Sequence, residues 1–460
     1  MGLDIRTSGG STAVLDNIAV DRLRAGFAGQ LVGPDSPDYD QARQVWNAMI
    51  SRRPALIARC AGAGDVAAAV RFAREHGLLV SVRGAGHNIA GNAVCDGGLV
   101  IDLSTMRSVA VDPTARTARV GAGATLGDFD RAAQAHGLAT PLGINSTTGI
   151  AGLTLGGGFG WLSRKYGLTI DNLLSADVVT AAGDPVRASP KENSDLFWGI
   201  RGGGGNFGVV TSFEFGLHPV GPEVLCGLVV HPLKAARDVL RQSRDLLTTS
   251  SDELVCWFVM RKAPPLPFLP EKWHGREILA MALCHAGSVE EGTRAAAPLR
   301  ALGRPIADVV GPQPYAGWQT AFDPLLTPGM RNYWKSHDLR EVSDGLIEVL
   351  VGAAERLPDP QCEVFLGQLG GAVSRIAPEA TAYTHRDAEF VMNIHARWAD
   401  PAMDAACIGW ARKLFQAAAP FATGGVYVNF MTQDESERVQ AAYGANYARL
   451  AQLKSRYDPT

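Results

Sequence analysis

Three stretches hold the residues whose types and spacing could do chemistry. The first is Ser81-Val82-Arg83-Gly84-Ala85-Gly86-His87-Asn88, a turn nearly bare of side chains until one imidazole. Residues 79–82 read as a buried strand entering it, and Gly84 and Gly86 let the backbone bend and approach a ligand. Successive exposed N–H groups in such a turn form an anion-holding concavity suited to a diphosphate. Taken alone, the octet reads first as a tight surface turn with a stray histidine. The second stretch, residues 143–160, carries Gly143, Asn145, Thr148, Gly149, Gly152, Leu155, Gly156, Gly157 and Gly160. The third, residues 201–210, has a run of glycines followed by Gly208 and Val209. A P-loop is excluded, because no Gly-Lys-Ser/Thr ends any of these runs. A dinucleotide fingerprint can be forced onto residues 156–160, but no strand feeds it and no acidic residue follows at the right distance.

In order and spacing the three blocks resemble the FAD-binding domain of the p-cresol methylhydroxylase and vanillyl-alcohol oxidase superfamily. More narrowly they are similar to its berberine-bridge-enzyme-like branch, which includes bacterial hydroxynicotine and sugar oxidases. The resemblance runs from about Arg53 to the C-terminus. It implies bound FAD, with Arg83, Gly84, Ala85, Gly86, His87, Asn88, Gly143, Asn145, Thr148, Gly149, Gly152, Leu155, Gly156, Gly157, Gly160, Gly208 and Val209 at the cofactor. It also implies a covalent bond from His87 to the flavin 8α-methyl group, since a neutral imidazole nitrogen can add to the quinone-methide form. Members with a second bond, to flavin C6, carry cysteine where this chain has Asn145, so the expectation is one link. Glycine in these blocks is then explained by a backbone passing close to the flavin. The redox chemistry belongs to the cofactor; orientation and electrostatics belong to the protein.

Oxidising an alcohol or amine carbon also needs a group that takes the hydroxyl or amine proton. The family supplies it from the substrate domain at no fixed position. Residues 426–431 read as a strand on which Tyr427 and Asn429 share a face, and Tyr427 is the first candidate. Glu363 and Gln368 are polar in an otherwise apolar strand, where a buried polar group needs a reason. Tyr333, Trp334 and His395 are further wall candidates, and His395 reads most simply as a hydrogen-bonded core histidine. Trp257, Phe258, Trp318, Phe365 and Trp398 could line a pocket for a sugar, a phenol or an alkaloid-like ring, or serve as core.

The elements that position these groups fall into two halves. Short strands alternate with helices over residues 55–60, 65–76, 98–103, 117–120 and 126–137, and a hairpin over 173–189 precedes a strand at 209–215. After the proline-rich 218–222 the glycine blocks stop. Strands at 226–230, 253–260, 277–284, 363–369 and 390–398 are interspersed with helices at 233–247, 289–302, 339–357 and 403–419. The expected fold class is α+β, a two-domain FAD-binding PCMH-type fold. Residues 1–220, completed by 432–460, form an FAD domain of two small α/β subdomains. Residues 221–431 form a substrate domain with a large antiparallel sheet flanked by helices. A last helix at 436–457 is expected to return to the FAD domain. Family members run on past this point, so the chain reads as truncated there.

Composition sets outer bounds. The chain has 460 residues, a formal net charge of -3, 46% hydrophobic and 19% charged residues, which suits two packed domains and gives no basic face for nucleic acid. Seven scattered cysteines without a CxxC pair point to reduced, mostly buried thiols in a cytoplasmic protein, not to disulfides or a metal site. No run approaches membrane-spanning length and no signal-peptide core opens the chain. The function expected is an FAD-dependent oxidoreductase acting on an alcohol, amine or phenolic small molecule, reoxidised by O2 or another acceptor. The alternatives are a flavin-fold carrier without turnover and a nicotinamide-linked dehydrogenase, for which no second dinucleotide site is visible.

Overall fold

The computed structural model describes residues 2–459. Its first sheet orders strands Gln30–Val32, Leu56–Arg59, Leu99–Asp102 and Val80–Arg83, the last three parallel. Helix Ala63–Glu75 makes the crossover, burying Val66, Ala69, Phe72 and Ala73 at helical spacing. Gly77, at φ +59°, ends that connection in the left-handed region. A second sheet orders Pro185–Ala188, Leu173–Val179, Val209–Gly216, Thr117–Gly121 and Val109–Asp112, all antiparallel. Helix Leu126–Gln134 follows it, started by a capping box between Thr125 and Asp128.

The third sheet is antiparallel throughout. Its central order is Glu223–Pro232, Glu277–His285, Leu254–Lys262, Glu363–Gln368, Phe390–Trp398 and Arg331–Leu339. Side chains alternate strictly between its faces. Cys256, Phe258, Met260, Val364, Leu366, Met392 and Ile394 face a core shared with helices Ala236–Leu247, Val289–Arg300, Asp344–Ala354 and Asp404–Ala418. Trp257, Phe365 and Val391 point the other way, into a cluster with Phe159, Trp161 and Tyr427. That cluster joins the third sheet to the second glycine block.

Four expectations change. Strand Arg331–Leu339 was not legible, because it carries polar residues on both faces; Ser343 then caps helix Asp344–Ala354, later than expected. Residues 426–431 are not a strand: Val428–Phe430 is a 3-10 turn, and Tyr427 anchors it by accepting from the Gly158 N–H at 3.0 Å. The segment docks on the glycine block, so no strand partner is left for it. The last helix is interrupted at Gly444, φ +48°, and resumes as Tyr447–Tyr457, whose Leu450 and Leu453 enter the core of the first two sheets. Finally, strand Val80–Arg83 is not buried on both faces: Val80 and Val82 are 37% and 39% exposed. Among the described residues no helix is long and apolar enough to cross a membrane.

Candidate active site

The three glycine blocks, the 426–431 segment and one face of the third sheet enclose a cavity of about 1400 Å³. That exceeds the roughly 300–1,000 Å³ of a pocket for one drug-sized ligand, so it has room for a cofactor and a substrate. Val80 and Val82 are exposed to it, an apolar wall in need of a flat partner. Of the expected cofactor residues, Arg83, Gly157 and Gly160 lie outside the wall and all the others line it. Arg83 instead donates to the Ala42 carbonyl. Gly160 is required by protein packing, since a Cβ there would stand 1.7 Å from the Leu142 carbonyl oxygen. A Cβ on Gly156 would meet the Asn429 amide at 2.3 Å. Part of the glycine signal therefore reports protein against protein, not protein against cofactor.

His87 follows the end of strand Val80–Arg83 and lines the cavity, stacked on Trp46 with ring centroids 5.2 Å apart. Burial pushes its pKa down to about 4, against the opposing hydrogen bond from Thr147, so the ring is neutral. Its tautomer is fixed by neighbours. The Asn145 side-chain oxygen accepts from the Thr147 backbone N–H at 3.0 Å and from the Thr147 hydroxyl at 2.7 Å. The single Thr147 hydroxyl proton is thereby committed, and His87 Nε2, 3.0 Å from Thr147 Oγ1, must be the donor. Nδ1 keeps the lone pair, with only the Thr148 hydroxyl at 3.5 Å nearby. Ser146 ties this loop to Asp323 on the far side through its backbone N–H at 2.9 Å. Trp46, Thr147 and Asp323 were missed in the sequence; only Thr147, inside the second block, sat where a signal could be read.

Tyr427 OH accepts from Gly158 N–H at 3.0 Å and from Asn429 Nδ2 at 2.9 Å, leaving its own proton for a ligand. Burial raises the phenol to about 12 despite both bonds. Asn429 also donates to the Leu153 carbonyl, so these two residues meet through a turn and not by strand alternation. Glu363 lines the cavity, but Gln368, five residues on, faces the helix side and accepts from the Cys256 backbone N–H at 3.1 Å. An odd separation along a strand puts two side chains on opposite faces. Tyr333 also faces the helices, bonded to Asp434. His395 and Trp334 line the cavity with their rings stacked at 4.4 Å. Beyond Trp257 the wall is apolar: Leu228, Val230, Val259, Ile278 and Ala280 on the sheet, with Leu266 and Phe268 of the proline-rich loop against them.

A neutral imidazole with a free nitrogen, a glycine-lined turn and an apolar strand face fit a flavin nucleotide. The comparisons agree. A family profile described as FAD binding domain matches residues 54–189, and one described as Berberine and berberine like matches 426–460. (R)-6-hydroxynicotine oxidase of Paenarthrobacter nicotinovorans is 32% identical over 447 residues, covering 94% of each chain. An FAD-linked oxidoreductase of Dictyostelium discoideum is 31% identical over 430 residues, covering 92% of this chain and 90% of its own. The crystal structure of 6-hydroxy-D-nicotine oxidase from Arthrobacter nicotinovorans superposes with a TM-score of 0.84 at 32% identity, covering 94% of this chain and 96% of that one. The chain belongs to the berberine-bridge-enzyme-like family of FAD-linked oxidoreductases. It is an FAD-dependent enzyme acting on a small molecule, and the carrier reading falls away.

Proposed function

We propose that this enzyme holds FAD by a single covalent bond from His87 and oxidises a small molecule with an apolar body and one alcohol or amine group. Electrons then pass to O2 or another acceptor. The observation that carries the attachment is the commitment of His87 Nε2–H to Thr147, which makes Nδ1 the nucleophilic nitrogen. Bound FAD supplies a two-electron acceptor for the hydrogen on the substrate carbon. The 84–88 turn and the glycines of 143–156 hold it in place. Asn145 offers an amide whose oxygen is already taken, so it provides no second anchor.

Tyr427, whose oxygen already accepts from Gly158 N–H and Asn429 Nδ2, keeps its proton to donate to the oxygen or nitrogen of the substrate. The apolar wall from Leu228 to Phe268 supports a hydrocarbon or ring body over a sugar, whose hydroxyls would go unpartnered there. The relatives include proteins named for hydroxynicotine, for chitooligosaccharide and for xylooligosaccharide. The wall supports a substrate nearer the first of these. Seven free, buried thiols support a cytoplasmic setting.

Acid denaturation tests the attachment: the precipitated protein should keep its yellow colour and its added flavin mass, and release of free FAD would overturn the link. Primary n-alkyl alcohols test the wall. Affinity should rise about fourfold per methylene, from ~0.8 kcal/mol for each CH2 buried, until the wall is covered.

A further inference from the structure

One polar corner interrupts the apolar sheet face. Glu363 is the cross-strand partner of His395 on one side and of Arg261 on the other. Its Oε2 accepts from Arg261 Nη1 at 2.7 Å and its Oε1 from His395 Nδ1 at 2.9 Å. Both oxygens are committed, and an ionised carboxylate can only accept. Nδ1 of His395 therefore carries the proton and Nε2 carries the lone pair. Nε2 is buried with no hydrogen-bond partner. Trp334 and Phe365 lie nearly parallel to the ring on its two neighbouring strands, 15° and 11° from its plane, so the imidazole stands upright between them. Phe430 meets it edge-on at 6.5 Å from the 3-10 turn. His395 lines the cavity, and of its three ring neighbours Phe430 is the one not anchored in a strand.

We propose that His395 Nε2 is the proton acceptor of the reaction, with Glu363 and Arg261 as positioning residues that fix its tautomer. This rests on the reading that the substrate is oxidised at an alcohol or amine carbon. For an alcohol, the O–H bond breaks with its proton going to Nε2, and the carbinol C–H bond breaks with its electron pair going to the bound flavin. A C=O bond forms; the alcohol is oxidised by two electrons and the flavin reduced by two. The charged groups around the imidazolium so formed are Glu363, which favours it, and Arg261 and Arg397, which oppose it. Trp334, Phe365 and Phe430 are uncharged. Tyr427 and Glu363 are set aside as bases because the oxygens of both are already occupied, the phenol's by Gly158 N–H and Asn429 Nδ2, the carboxylate's by Arg261 and His395.

The test uses the holoprotein with 2-naphthol, which has a hydroxyl but no carbinol hydrogen to lose, and naphthalene, which has neither. Equilibrium dialysis should show 2-naphthol bound about tenfold more tightly than naphthalene, the worth of one buried hydrogen bond. His395→Phe keeps the stack between Trp334 and Phe365 and should cut that preference to what the Tyr427 hydroxyl alone supplies, while still binding naphthalene and FAD. His395→Gln serves as a second variant should the phenylalanine fail to fold. With 2-naphthalenemethanol as substrate, His395→Phe should slow flavin reduction by about 10²–10⁴-fold. Glu363→Gln should move the acid limb of the pH profile to lower pH, because the lost carboxylate no longer favours the imidazolium. Equal binding of the two naphthalenes to wild type, or a preference that survives undiminished in His395→Phe, overturns the proposal. A wild-type flavin left oxidised by 2-naphthalenemethanol, with the binding preference intact, instead counts against the substrate class.

Discussion

Two histidines in this cavity carry opposite tautomers, and in each case the neighbour decides. Thr147 has spent its only proton on Asn145, so His87 must donate from Nε2; Glu363 can only accept, so His395 must donate from Nδ1. One ring keeps a free nitrogen at the glycine turn, the other at the sheet. At this scale two outcomes are expected. His87→Ala should release FAD when the protein is denatured in acid, while the folded variant still binds it, because the backbone contacts of the glycine blocks do not need the imidazole. Absorbance of the acid supernatant checks this. Tyr427→Phe should leave the acid limb of the pH profile where it is, since burial pushes the phenol up to about 12, far above that limb. It should cost about 1–3 kcal/mol of stability, because the Gly158 N–H loses its acceptor, and urea midpoints measure that.

Among the elements, the loop at 381–387 fixes the segment that follows the second glycine block. Arg386 is fully buried and makes a two-pronged contact with Asp171, at 2.7 and 2.8 Å, and a further bond to Thr381. Asp171 in turn accepts from the Leu168 backbone N–H. Replacing Arg386 with Met leaves a buried carboxylate without its counter-charge, and about 3–5 kcal/mol of stability should be lost. Asp171→Asn together with Arg386→Met removes both charges and should recover part of that loss. A double-mutant cycle in urea reads the coupling directly. Recovery is the discriminating result, because a loss of packing alone would not be repaired by the second change.

For the molecule as a whole, helix Leu126–Gln134 meets the short helix Tyr315–Gln319 across the boundary between the glycine-rich half and the large sheet. There Asp130 is buried, and Gln319 donates both to it, at 3.0 Å, and to the carbonyl of Gly143 in the second glycine block. Burial pushes the Asp130 carboxyl up to about 7, with the Gln319 bond opposing. The folded protein thus binds this proton more tightly than the unfolded chain, whose aspartates titrate near 3.9. Stability from this group is greatest at pH 4 and declines by about 1.4 kcal/mol per pH unit up to about 7. Asp130→Asn should flatten that decline, raising Tm relative to wild type at pH 8 more than at pH 5. Parallel thermal scans at the two pH values decide it.

The sequence by itself determined the glycine turn with His87, the antiparallel sheet with its helices on one side, and an asparagine, not a thiol, at position 145. These follow from local rules: glycine where the chain must bend or pass closely, strict alternation in strands, and the chemistry of one side chain. Tertiary structure decided the rest. Glu363 and Gln368 looked alike in the sequence, and only the pleat sent one to the cavity and the other to the core. Strand Arg331–Leu339 hid because polar residues on both its faces are satisfied or enclosed by distant segments. His395 looked like an ordinary core residue until Glu363 and Arg261 arrived beside it on neighbouring strands. Hydrogen-bond commitments of this kind join residues far apart in the chain, and no local pattern records them.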